Sequence, residues 1–176
     1  MPVELKRRAA AAEPRSRTRG KHVVISDDQK LYLEDLYVGQ RFISDTYVME
    51  EERIKEFAAE FDPQPFHLDA AAGNASVFRG LVASGWHTAA VAMRLLVTGG
   101  APIANGLIGF GGEVAWPKPT RPGDTLQIES EVLEIRTSQS KPQQGTVTVR
   151  STMHNQNGEA VYVLTAKLLV FRRPID

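Results

Sequence analysis

Residues 85–97 read GWHTAAVAMRLLV, and after Gly85 only His87, Thr88 and Arg94 are strongly polar. A helix laid on a surface keeps a polar face, so a segment apolar nearly all round predicts a helix enclosed by the rest of the fold. What encloses it follows in the chain. Thr146–Met153 alternates, with Val147, Val149, Ser151 and Met153 on one face and Thr146, Thr148, Arg150 and Thr152 on the other. Ala160–Phe171 carries Ala160, Tyr162, Leu164, Ala166, Leu168 and Val170 on one apolar face. A period of two marks a strand with one side buried. Asn157-Gly158 between these two strands is a strong tight-hairpin signal. Upstream, Gly106–Trp116 and Thr125–Ile135 add two strands, separated by the turn Arg121-Pro122-Gly123-Asp124. One buried helix followed by an antiparallel meander predicts an α+β plan in which a sheet wraps a central helix.

Ahead of that helix, Leu31–Gly39 is a lead-in to a strand, Arg41–Met49, rich in Ile, Thr, Tyr and Val. The period then changes: Ile54, Phe57, Ala58 and Phe61 fall on one face of a helix over Glu50–Phe61. Glu50, Glu51 and Glu52 sit in its first turn, where carboxylates favour the positive end of the helix dipole. Pro63 ends it, because the residue before a proline is pushed out of helical geometry. Leu68–Gly73 reads as a short helical turn that Asp69 caps.

The chain has 176 residues, enough for one domain, with 21 Lys+Arg against 21 Asp+Glu and no cysteine. The absence of cysteine removes any disulfide framework, any Cys-ligated metal and any Cys nucleophile. A neutral balance gives no general attraction to nucleic acid or to an acidic membrane. Seven basic and two acidic residues fall within 1–21, so the other 155 residues sum to −5. Residues 1–30 are read as a flexible basic tail ahead of a single domain over 31–176. The tail lacks the apolar centre of a secretory signal, and no stretch is long and apolar enough to span a bilayer, so the expected location is the cytoplasm.

Two clusters carry candidate chemistry. Asp62-Pro63-Gln64-Pro65-Phe66-His67 places a carboxylate and an imidazole on a stiff loop with two prolines, and general acid–base catalysis needs two such groups held near one reacting water. The same residues also suit a capping aspartate and an ordinary half-buried histidine, and spacing alone does not separate the two readings. The second cluster, Gly80-Leu81-Val82-Ala83-Ser84-Gly85, leads directly into the apolar helix. Free N–H groups at a helix start carry partial positive charge, and a glycine there lets a carbonyl oxygen approach closely, which is an oxyanion-hole geometry. Taken alone, such a glycine is more often one chosen for a turn.

Taken together, Phe61–Asp69, Ser76-Val77-Phe78 and Leu81–Thr88 resemble the MaoC-like dehydratases, relatives of the (R)-specific enoyl-CoA hydratases. The family signature is an Asp, a polar residue and Pro, and a His five positions after the Asp. Asp62, Gln64, Pro65 and His67 match it, with Gln64 where Asn is frequent. Trp116-Pro117, the Arg121–Asp124 turn and the last strand resemble the family's second half. The resemblance implies the hotdog fold, a curved antiparallel sheet around one long helix. It implies reversible hydration of a trans-2-enoyl-CoA to a (3R)-hydroxyacyl-CoA, as in fatty acid metabolism. Asp62 and His67 are then the catalytic pair holding water; Gly85 stabilises the enolate oxygen, and Gln64 and Ser84 complete the oxyanion and substrate-binding set. It implies no metal and no bound cofactor, since coenzyme A arrives as part of the substrate. It implies a homodimer or a dimer-based oligomer. Many relatives carry a serine eight positions beyond the oxyanion glycine; Met93 stands there in this chain, facing an acyl chain or the core. The alternatives are a hotdog acyl-CoA thioesterase using Asp62 on water, and a non-catalytic acyl-CoA-binding subunit. His87 and Arg94, seven residues apart on one helix, receive no role. His67-Leu68-Asp69 lacks a third metal ligand.

Overall fold

The computed structural model describes residues 30–174. The basic tail read over residues 1–30 therefore lies outside the described residues, save its last one. The elements are β1 (Arg41–Val48), α1 (Glu51–Phe61), α2 (Pro65–Leu68), α3 (Ala70–Ala75), α4 (Gly85–Leu95), β2 (Ile108–Ala115), β3 (Thr125–Thr137), β4 (Gln144–His154) and β5 (Ala160–Phe171). The five strands form one antiparallel sheet in the order β1-β3-β4-β5-β2. Of the four strands expected to form the meander, β3, β4 and β5 do, while β2 pairs with β5 instead of β3 and lies at one edge, with β1 at the other. A curved antiparallel sheet with a helix on its concave face is the hotdog plan.

The inward side chains explain why the helix settles there. Val91, Ala92 and Leu95 of α4, with Leu96, meet Leu126, Ile128, Met153 and Tyr162 of the sheet, while Met49 and Ile54 close the α1 side. At the far end of the sheet, Val132, Val147, Val149, Leu168 and Val170 form a second cluster. Leu33, Leu36 and Ile103 cover it, and Leu31 bridges to Ile103. The segment read as a lead-in is thus also a cover for that half of the core.

α4 is not enclosed on every side. Trp86, Met93 and Val97 are exposed, and so is the whole length of β2 beside them. The sheet curves round the opposite face of the helix, and β2 is its edge strand, so among the described residues nothing covers this apolar stripe. Among the described residues no helix is long and apolar enough to cross a membrane.

α3 is held to the segment that leads into α4 through a close backbone approach. A Cβ on Gly73 in α3 would lie 2.7 Å from the Gly80 carbonyl and from Leu81 N. In the same place Gly80 N–H donates to Gly73 O at 3.0 Å. Gly73→Ala forces backbone against backbone and is expected to lower stability by about 2 kcal/mol, measured as the shift of the denaturant midpoint at pH 7.5.

Candidate active site

Asp62 follows directly from the end of α1: its N–H still donates to Ala58 O at 3.0 Å, while its backbone has left the helical region. Pro63 blocks any continuation. Pro65 then occupies the first position of α2, where the missing N–H removes no hydrogen bond. The stretch expected to be a stiff loop is therefore half helix, because the second proline starts a turn as the first ends one. That turn carries His67 inward, where it is buried.

The histidine is oriented by the backbone. Its Nδ1 lies 2.8 Å from Val82 O. A carbonyl only accepts, so Nδ1 donates to it and Nε2 is the ring nitrogen turned toward Asp62. Nε2 stands 3.4 Å from Asp62 Oδ2, too far for a strong direct bond and suited to two groups that share a third. The other carboxylate oxygen, Oδ1, accepts from Gln64 Nε2 at 2.8 Å. The Asp62 carboxyl is held below its usual value of 3.8, first by the Ser84 hydroxyl, then by the Gln64 amide, with the nearby His67 adding to both. Partial burial opposes them without prevailing.

Across from this pair lies the start of α4. Ser84 Oγ accepts from Trp86 N–H at 3.2 Å, and Ser84 O accepts from Thr88 N–H at 3.0 Å. Gly85 N–H has no acceptor among the described residues, and Gly85 borders the cleft. Three contacts from the β2–β3 connection fix this corner. Trp116 Nε1 donates to Gly85 O at 2.9 Å, Thr120 O accepts from Ala83 N–H at 2.9 Å, and the Thr88 and Thr120 hydroxyls meet at 3.1 Å. The Trp116 ring also lies against Gly85, where a Cβ would come within 3.1 Å of it. Glycine is needed at that point to admit the indole, as well as to leave the amide open.

Asp62, Gln64, His67 and Gly85 thus converge on one cleft of about 590 Å³, whose far rim carries Trp116 and Lys118. Ser84 does not join them. It is fully buried behind the wall, between two residues that do line it. With Oγ accepting from Trp86, its proton is left for the Asp62 carboxylate. Met93 lines a separate apolar hollow of about 280 Å³ between α4 and the β2 side of the sheet, with Leu96, Gly111 and Leu168. Sequence reasoning gave no role to Trp116, Thr120 or the Val82 carbonyl. The Trp-Pro-Lys-Pro-Thr run was the available signal for the first two; nothing in a sequence marks a carbonyl.

His87 and Arg94 occupy different surroundings. Arg94 is exposed, its guanidinium 5.8 Å from the centre of the Tyr47 ring. His87 is buried, stacked on Phe57 of α1 at 4.7 Å and 5°, with Nδ1 lacking a partner. Burial first, and Arg53 second, hold its pKa below the usual 6.5. Among the described residues no three His, Asp or Glu side chains are grouped closely enough to hold a metal ion.

Comparison with known proteins gives consistent relatives. Residues 36–155 match the family model of the MaoC like domain. The solved MaoC-like dehydratase of Rhodospirillum rubrum is 58% identical, with a TM-score of 0.81 over 82% of this chain and 99% of its own. The unliganded R-hydratase PhaJ1 of Pseudomonas aeruginosa is 26% identical, with a TM-score of 0.64 over 84% of this chain and 96% of its own. The uncharacterized protein YdeM of Bacillus subtilis is 28% identical over 141 residues, 80% of this chain and 99% of its own.

Two outcomes are expected from this geometry. Ser84→Ala removes the donor that most lowers the Asp62 pKa, so any activity requiring the carboxylate must lose its acid limb at a higher pH than in the parent, read from log(kcat/KM) against pH. For His87 the native pKa is the lower one, so its contribution to stability is complete above pH 6.5 and falls as pH drops from there toward the lowered native value. His87→Phe keeps the stack on Phe57 without a titrating group, and its Tm is expected to fall less than the parent's between pH 7.5 and about 5, by differential scanning fluorimetry.

Proposed function

Because the chain belongs to the MaoC-like domain family, we propose that it is a hydro-lyase that reversibly adds water to a trans-2-enoyl-CoA, giving a (3R)-hydroxyacyl-CoA. One observation carries the reading: Nε2 of His67 and Oδ2 of Asp62 stand 3.4 Å apart on the wall of the cleft that Gly85 also borders. The R-hydratase likeness supports it.

In hydration, one water molecule in the cleft is hydrogen-bonded to both Asp62 and His67. The thioester carbonyl oxygen accepts from Gly85 N–H, which polarises the conjugated double bond and stabilises the enolate that forms. The water oxygen bonds to C3 as one O–H bond breaks, its proton taken by the pair. A proton from the pair then reaches C2, and the enolate collapses to the saturated thioester. Water is the only species consumed, and the sequence runs backwards for dehydration. Asp62 acts as a carboxylate throughout, so the Ser84 and Gln64 hydrogen bonds that favour its ionised form serve the reaction directly. The scheme uses no metal and no bound cofactor; coenzyme A comes and goes with the acyl group.

The working form in this reading is a homodimer. Met93 and Val97 on α4 and Ile108, Phe110 and Val114 on β2 form an exposed apolar surface beside an open sheet edge, and a second copy covering it removes both liabilities. Phe110→Glu is expected to shift the sedimentation coefficient from dimer to monomer.

Asp62→Asn and His67→Gln are each expected to lower kcat for hydration of crotonyl-CoA by at least about 10²-fold, with Tm within a few degrees of the parent. Near-parental rates in both variants contradict the assignment. Rates that fall for Asp62→Asn alone, with thiol released from the thioester, favour a thioesterase using a lone carboxylate.

A further inference from the structure

The connection from β2 to β3 runs Trp116-Pro117-Lys118-Pro119-Thr120, and all five residues line the cleft. It is tied at both ends to the start of α4, through Trp116 Nε1 to Gly85 O at 2.9 Å and through Ala83 N–H to Thr120 O at 2.9 Å. Prolines fix φ on either side of Lys118 and restrict the residues before them. The Lys118 backbone is therefore held in a set relation to the Gly85 amide. Apart from Asp62 and His67, Lys118 is the one charged residue among those that line the cleft.

Its ammonium is engaged at the surface, where water can compete. Lys118 pairs with Glu159 at the start of the last strand, but the two side chains are 55% and 38% exposed, and exposed pairs contribute little. The other Glu159 oxygen accepts from Asn155 Nδ2 at 3.0 Å. That carboxylate keeps a donor when Lys118 turns away, so exchange for a stronger anion is easy. The same cleft is lined by two indoles, Trp86 and Trp116, edge to face at 5.6 Å.

We propose that Lys118 anchors a phosphate on the pantetheine arm of the substrate, with the tethered strap setting the distance from that phosphate to the thioester on Gly85. The inference rests on the hydro-lyase reading, which makes the substrate a thioester of such an arm. A ligand running from the Gly85 amide along the strap passes the indoles with its uncharged section and meets the ammonium with its phosphate. Charge-assisted binding to phosphate then replaces the exposed pair with Glu159.

The chain has only two tryptophans, and both border this path, so intrinsic fluorescence reports binding of free coenzyme A without turnover. Lys118→Ala is expected to weaken coenzyme A binding about tenfold and to flatten its salt dependence. It is also expected to raise KM for crotonyl-CoA relative to KM for crotonyl-pantetheine, which has no phosphate. A parallel rise for crotonyl-4′-phosphopantetheine assigns the contact to the 4′-phosphate; a rise confined to crotonyl-CoA assigns it to the more distant phosphates. Glu159→Gln removes the rival anion and is expected to keep or tighten coenzyme A binding. Unchanged coenzyme A affinity in Lys118→Ala overturns the proposal. So does an equal loss in Glu159→Gln, which makes the pair a mere brace for the strap, or an equal KM rise for crotonyl-pantetheine. Lys118-dependent coenzyme A binding without turnover of any crotonyl thioester leaves the anchor standing and removes the hydro-lyase reading alone.

Discussion

The first turn of α4 is the point on which the site depends. A helix that starts inside a protein must find acceptors for its leading N–H groups. Here Ser84 supplies two, its hydroxyl for Trp86 and its carbonyl for Thr88. Because the hydroxyl accepts from the helix, its own proton is left for Asp62, and one buried serine links the helix start to the carboxylate beyond the end of α1. Gly85 N–H has no acceptor among the described residues; it borders the cleft at the positive end of the helix dipole. Thr120 and Trp116 hold the corner from the other side, and the glycine is what allows the indole to lie against it.

The fold serves this corner by bringing four separate pieces of chain together. α1 presents Asp62 beyond its last turn, a one-turn helix carries His67, the segment before α4 offers the Val82 carbonyl, and the β2–β3 connection closes the rim. The histidine's orientation is set by that single carbonyl at 2.8 Å. The same cover of α4 by the sheet that builds the core leaves Trp86, Met93 and Val97 uncovered on its other side.

Much of the fold was legible because burial writes itself into periodicity. The alternation in Thr146–Met153 matches strand β4, where Val147, Val149, Ser151 and Met153 are all buried, and the apolar run from Gly85 matches α4. The exposed stripe on α4 was not legible, since an apolar residue reads the same whether the sheet or another chain covers it. At the site, residue type and spacing left Asp62, His67 and Gly85 open to plainer readings, and the resemblance to the MaoC-like signature is what singled them out with Gln64; the structure brings the four to one cleft. Ser84 was expected in the substrate-binding set and is instead buried behind the wall, because a helix cap and a carboxylate claim its hydroxyl. Trp116, Thr120 and Val82 act through contacts 31, 32 and 15 residues away in the chain, and no local pattern encodes those.

The central claim is that Asp62 and His67 direct water to the double bond of an enoyl thioester and not to its carbonyl. The most direct measurement follows the ultraviolet absorbance of crotonyl-CoA with the purified chain while free thiol is assayed in the same sample. The account predicts loss of the conjugated enoyl band with no thiol released. Thiol appearing as the band decays, or a band that persists across a panel of 2-enoyl-CoAs of different lengths, would contradict it.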